Sequence, residues 1–158
     1  MLRWAILGTG FISNTVIDAI AASDGSEVAF IAGRDAGKVA DFQARHGIAA
    51  GGSFDDAIAH PHCDAIYIGL PNHQHHPFAI AGSQAGKAVL SEKSLTTTVA
   101  DAHLLVDAVR ANRTFFVEGL MYLSHPVIRR FCELLGDGHL GELRSISARY
   151  GANIAHLV

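Results

Sequence analysis

The residues best suited to chemistry lie near the start of the chain, at Gly8-Thr9-Gly10-Phe11-Ile12-Ser13. They follow an apolar run and open a helical one. In that setting Gly8 permits a tight turn, and Gly10, lacking a side chain, lets a diphosphate approach the backbone. The free N–H groups at the helix start then face the anion. Ser13 stands where a third glycine is usual; it is small, though not ideal for helix–sheet contact. Alone, this spacing also fits an ordinary strand–helix turn. Strand, turn, helix and second strand in that order favour a dinucleotide cofactor.

A second point of chemistry is Ala32-Gly33-Arg34-Asp35, at the end of the next apolar run. An acid there would hold a ribose 2′-hydroxyl. Gly33 occupies the expected acid position and Arg34 follows it. A guanidinium suits a 2′-phosphate and can stack on adenine, which favours NADP over NAD, although a solvated arginine at a strand end has the same spelling. With the register displaced by two, Asp35 becomes the ribose partner. His73, His75 and His76 resemble a metal cluster, yet they share one short turn with no carboxylate or cysteine at a supporting spacing. No metal is expected.

The elements that position these residues alternate along the chain. Strands are predicted at Leu2–Leu7, Glu27–Ala32, Asp64–Leu70, Ala88–Ser91 and Thr114–Glu118. Helices are predicted at Phe11–Ala22, Asp35–His46 (stopped by Gly47), His75–Ala85 (closed by Gly86), Thr98 to about Ala111, and Pro126–Leu135. Ser53 with Asp56 reads as a capping box on a further short helix. After the loop Gly136–Gly141, Glu142–Tyr150 alternates like a strand. The order implies an α/β fold, a Rossmann-type doubly wound parallel sheet.

Composition agrees. Of the 158 residues, 49% are hydrophobic and 17% charged, which suits a parallel sheet buried on both faces. The formal net charge is −3 and the basic residues are scattered, so nucleic acid is not an expected partner. Cys63 and Cys132 form neither a disulfide framework nor a CxxC pair, which suggests a reducing, cytoplasmic setting. Met1–Gly10 is apolar but short and ends in the glycine turn, so it reads as a buried strand, not a signal peptide. No apolar run approaches membrane-spanning length, and no membrane partner is expected.

Further motifs carry a family resemblance. Pro71-Asn72 is followed by His75, Ala79 and Ala85-Gly86-Lys87, then by Val89-Leu90-Ser91-Glu92-Lys93-Ser94. This resembles the PNxxH…AGKxVxxEKP run of the Gfo/Idh/MocA oxidoreductases, and within them the dihydrodiol dehydrogenase and NADP-dependent D-xylose dehydrogenase branch. Glu118-Gly119-Leu120-Met121-Tyr122, His125-Pro126 and the Gly138–Arg144 turn are similar to later segments of that branch. The resemblance covers essentially the whole chain. It implies a cofactor lined by Gly8, Thr9, Gly10, Phe11, Ile12, Gly33 and Arg34, and by the loop Leu70-Pro71-Asn72. Asn72 and His75 match the loop under the nicotinamide side, although His75 would serve equally as a cap on its helix. Lys93, past the carboxyl end of its strand, matches a lysine beside the nicotinamide and the reacting hydroxyl. A neighbouring cationic ring would lower its pKa and let it relay a proton, where a solvated loop lysine would do nothing. Strand alternation points Glu92 away from Lys93, as an orienting group, and Glu118 would also reach the crevice.

The chain departs from the family at Ser94, where a proline often forms a cis bond that is costlier without it. It departs again at Leu123, where an arginine is usual. Family members are about twice this long and carry an open-faced sheet that builds the substrate pocket and dimer surface. Residues 1–123 are therefore expected to form the NAD(P)-binding domain, and 124–158 the linking helix and first strand of an incomplete α+β substrate domain. A strand without its sheet exposes unpaired backbone, so the chain reads as a fragment, or its last strand pairs with another copy in a homo-oligomer. Two functions stand. One is hydride transfer between NADP, or NAD, and a secondary hydroxyl of a small-molecule carbohydrate, polyol or cyclic diol. The other is a module that binds NAD(P) without turnover.

Overall fold

A computed structural model describes residues 1–149 and 151. The chain divides into two compact units, Met1–Gly119 and Leu120–Val158. The first carries six strands: β1 (Leu2–Leu7), β2 (Ser26–Ala32), β3 (Ala50–Gly52), β4 (Ala65–Ile68), β5 (Ala88–Ser91) and β6 (Phe116–Glu118). They pair in parallel in the order β3-β2-β1-β4-β5-β6. Five helices connect them: α1 (Phe11–Ala21), α2 (Ala36–His46), α3 (Phe54–Ala59), α4 (His75–Gln84) and α5 (Val99–Asn112). In the second unit a single 3₁₀ turn at Met121–Ser124 precedes α6 (Pro126–Gly136).

The strands read as apolar runs because both faces of the sheet are covered. Along β1, Ala5 and Leu7 join one cluster with Ala57 of α3, Ala79 of α4 and Leu105 of α5. Ile6, between them, joins the other with Ile17 and Ile20 of α1 and Val39 and Phe42 of α2. Side chains alternate along a strand, so burial on both sides requires a continuous apolar sequence. Helix starts follow local chemistry. Asp35 caps α2, Ser53 and Asp56 form a reciprocal capping box on α3, and the Thr98 hydroxyl accepts the Asp101 N–H of α5.

Two features differ from the sequence expectation. The strand β3 was not foreseen, because Ala-Gly-Gly has neither length nor β-propensity. It exists through its neighbour, pairing Phe30 with Ala50 and Ala32 with Gly52. Conversely, residues 142–149 form no strand, and Tyr150 lies outside the described residues. Alternation arranges side chains, but a strand also needs an adjacent backbone to take its N–H and C=O groups, and none among the described residues does so.

At the amino-terminal edge of the sheet, two side chains hold the loop before β4. Lys87, 8% exposed, donates from Nζ to the carbonyls of His60 and Cys63, both at 2.7 Å. Arg3 grips Asp64 with Nε and Nη2 at 3.0 and 2.9 Å, and its own N–H donates to the same carboxylate at 2.9 Å. These bonds hold the Asp64 carboxyl down at about 2. A folded-state value below the unfolded one stabilises at pH above about 3.9, and the contribution is lost as pH falls through the folded value. Both side chains are over a third exposed, so salt screens the pair. We therefore expect an NMR titration to place the Asp64 midpoint near 2, and Asp64→Asn to flatten the acid limb of stability below about pH 4. A midpoint at the ordinary aspartate value would dismiss the fork.

Candidate functional site

The pairing register aligns the carboxyl ends of five strands. Ala32, Leu7, Ile68, Ser91 and Glu118 lie opposite one another across β2, β1, β4, β5 and β6. The loops beyond this row carry Gly33–Asp35, Gly8–Gly10, Gly69–Asn72, Glu92–Ser94 and Gly119. The strand order reverses between β1 and β4, which is where open α/β sheets bind ligands.

A cleft of ≈ 490 Å³ opens there, lined by Gly8, Thr9, Gly10, Gly33, Arg34, Asp35, Lys38, Phe54, Gly69, Leu70 and Pro71. Gly8 has φ +115°, and a Cβ on it would lie 2.5 Å from the Gly69 carbonyl oxygen, so only glycine fits. Gly10 is different: a Cβ there would meet nothing within 4 Å. It caps α1 in extended conformation, and no side chain bonds the helix's first N–H groups. The first turn of α1 therefore presents free donors and the positive end of its dipole beside open space. A helix start of this kind fits a dinucleotide diphosphate.

The charged groups flanking the cleft are Arg34, Lys38 and Asp35. Asp35 is turned away into the cap of α2, where Oδ1 accepts the N–H of Gly37 at 2.9 Å and of Lys38 at 3.2 Å. That bonding opposes the alternative in which Asp35 takes the ribose. Lys38 was not singled out in the sequence. Its signal was the Asp35 cap, which sets Lys38 in the first turn of α2, one turn beyond Arg34.

Phe11 is 85% exposed at the start of α1. Asn72 and Lys93 are also exposed, and the Lys93–Ser94 peptide bond is cis. Of the other expected residues, His75 is buried and Glu92 and Glu118 are half-buried. His75 is 1% exposed and bonds the carbonyls of Leu70 and Ser94 through its two ring nitrogens. It does not cap α4, whose N-cap makes no side-chain bond. Glu92 accepts the hydroxyl of buried Tyr67 at 2.9 Å, and Glu118 accepts the Leu95 N–H at 2.6 Å. Burial first, then the Glu92 carboxylate, pushes the Tyr67 phenol well above its usual range. The histidines scatter. His73 sits beside Gln74, and His76 faces Asp101 at 3.5 Å. Among the described residues no three metal-ligating side chains converge. A separate, mainly apolar hollow of ≈ 330 Å³ lies between α5 and β6, away from the glycine turn. No helix among the described residues is long and apolar enough to cross a membrane.

Sheet order, glycine turn and open helix start define a Rossmann-type dinucleotide-binding protein. Residues 2–119 match the oxidoreductase family described by its NAD-binding Rossmann fold, and the chain belongs to that family, the Gfo/Idh/MocA oxidoreductases. It is 35% identical over 148 residues to an uncharacterized oxidoreductase of Rhizobium meliloti, covering 92% of this chain and 44% of the relative. It is 32% identical over 160 residues to a trans-1,2-dihydrobenzene-1,2-diol dehydrogenase of Bos taurus, covering 99% and 48%. Among solved structures it resembles a mutant 3-ketoreductase from Actinomadura kijaniata in complex with TDP-benzene and NADP. The TM-score is 0.82 at 30% identity, over 90% of this chain and 44% of that one. The chain spans about half the length of the curated relatives it matches.

Proposed function

We propose that the chain is the cofactor-binding part of an NADP-dependent oxidoreductase acting on a secondary hydroxyl, or the matching ketone, of a sugar, polyol or cyclic diol. The observation that carries this reading is the uncapped start of α1 beside Gly10, with nothing within 4 Å of where a Cβ would stand. The relatives named as a diol dehydrogenase and a 3-ketoreductase support the substrate class. When bound, the nicotinamide supplies the hydride chemistry. The chain's own groups bind and orient it and move a proton.

In this reading the N–H groups of Phe11 and Ile12 take the diphosphate, with Thr9 alongside. Arg34 and Lys38 take the 2′-phosphate over Gly33, which leaves room for it. Leu70, Pro71 and Asn72 form the nicotinamide-side wall. Lys93 Nζ exchanges a proton with the substrate hydroxyl oxygen as hydrogen leaves or joins its carbon. Glu92 and Glu118 act as supports, since both carboxylates are already engaged. Residues 1–123 would form the cofactor domain, and 124–158 would begin the substrate domain, which supplies the pocket and any homo-oligomeric surface.

Separate titrations with NADP and NAD test the cofactor assignment. Arg34→Ala is expected to weaken NADP by about tenfold to a hundredfold, ~1.4–2.7 kcal/mol, and NAD by less than about threefold. Equal losses would remove the 2′-phosphate role.

A further inference from the structure

The two hydrogen bonds of His75 constrain its protonation. Nδ1 lies 2.8 Å from the Ser94 carbonyl oxygen and Nε2 lies 2.7 Å from the Leu70 carbonyl oxygen. Carbonyl oxygens only accept. A neutral imidazole has one N–H and one lone pair, so it serves one of these carbonyls and turns a lone pair on the other. The doubly protonated ring donates to both, and both separations suit charge-assisted bonds.

The Ser94 carbonyl belongs to the same peptide group as the Leu95 N–H. That N–H donates to Glu118 Oε1 at 2.6 Å. One peptide plane is therefore held from both sides: His75, from α4, on its oxygen, and Glu118, from the end of β6, on its hydrogen. A cation at the oxygen and an anion at the N–H polarise the peptide in the same sense, so each bond strengthens the other. This plane directly follows the Lys93–Ser94 bond. The other arm of His75 reaches Leu70, which opens the loop leading to Asn72.

We propose that His75 carries protons on both ring nitrogens and, with Glu118, forms a peptide-bridged ion pair that fixes the segment bearing Lys93 against the Leu70 loop. His75 and Glu118 are then positioning residues. Their effect on turnover rests on the proposed role of Lys93, but the clamp itself does not.

The first test is the imidazole ¹⁵N spectrum of the unaltered chain at neutral pH. Two protonated ring nitrogens on His75 are expected; one protonated and one bare nitrogen would overturn the ion pair. The second test compares His75→Gln and Glu118→Gln. Each is expected to move the Leu95 amide resonance and speed its hydrogen exchange by at least about tenfold. In a version extended through the substrate domain, each should lower kcat by about tenfold and leave the NADP dissociation constant within about threefold. An unmoved Leu95 amide in the folded variants would overturn the positioning role. A variant that fails to fold leaves the spectrum of the unaltered chain to decide. Turnover retained in Lys93→Ala would sink the catalytic reading while the His75 spectrum stands. A bare ring nitrogen alongside an inactive Lys93→Ala would sink the clamp alone.

Discussion

Lys93→Ala, in a version extended through the substrate domain, is expected to lower kcat by about 10²–10⁴-fold, the range of a general acid–base group. NADP affinity should stay within about tenfold, ~1.4 kcal/mol. The two effects separate because the cleft at the glycine turn is lined by the loops after β1, β2 and β4 and by residues of α2 and α3, and Lys93 is not among them. Lys93→Arg should fail almost as badly, since a guanidinium keeps its proton and cannot pass it on. Steady-state kinetics and a fluorescence titration on the same preparations decide the matter. Undiminished turnover in the alanine variant would end the proton-relay assignment. Turnover absent from the unaltered extended protein, with NADP bound normally, would favour a module that holds the nucleotide without reacting it.

The second large effect is a contrast between two glycines of one turn. Gly8→Ala puts a methyl group 2.5 Å from a backbone oxygen that cannot swing away, at φ +115°. Such backbone strain costs about 1–3 kcal/mol before the steric clash is added. For a domain of this size we expect the melting temperature to fall by about 10 °C or more. Gly10→Val places its branched side chain in open space, on an extended backbone that valine accepts. Its stability should change by about 1 kcal/mol or less, the difference between good and poor caps. NADP affinity should fall by more than about a hundredfold, because the isopropyl group stands where the diphosphate must approach. Calorimetry and titration together read both variants. Normal NADP binding by Gly10→Val would place the diphosphate elsewhere and remove the basis of the proposed function.

Much of the fold was legible because its causes are local. Apolar runs bounded by Gly8, Gly33 and Pro71 mark strands buried on both faces. Asp35, the Ser53–Asp56 pair and the Thr98–Asp101 pair mark helix starts, since a side chain two or three residues away can satisfy a free N–H. The glycine turn was legible for the same reason. Strand β3 was not, nor the lack of a strand at residues 142–149, because strand formation is decided by what lies alongside.

The candidate site divides in the same way. Gly10 and Arg34 stand in the amino-acid sequence by themselves, since they depend on a short turn and a strand end, whereas Lys93 is marked by its resemblance to a family motif. Only the tertiary structure decided that His75 faces inward between two carbonyls and that Glu118 holds the peptide after Lys93. Both are meetings of groups from segments of the chain that the fold brings together. Spacing along the chain carries no record of which elements become neighbours; that follows from the order in which the strands pair and the faces on which the helices pack.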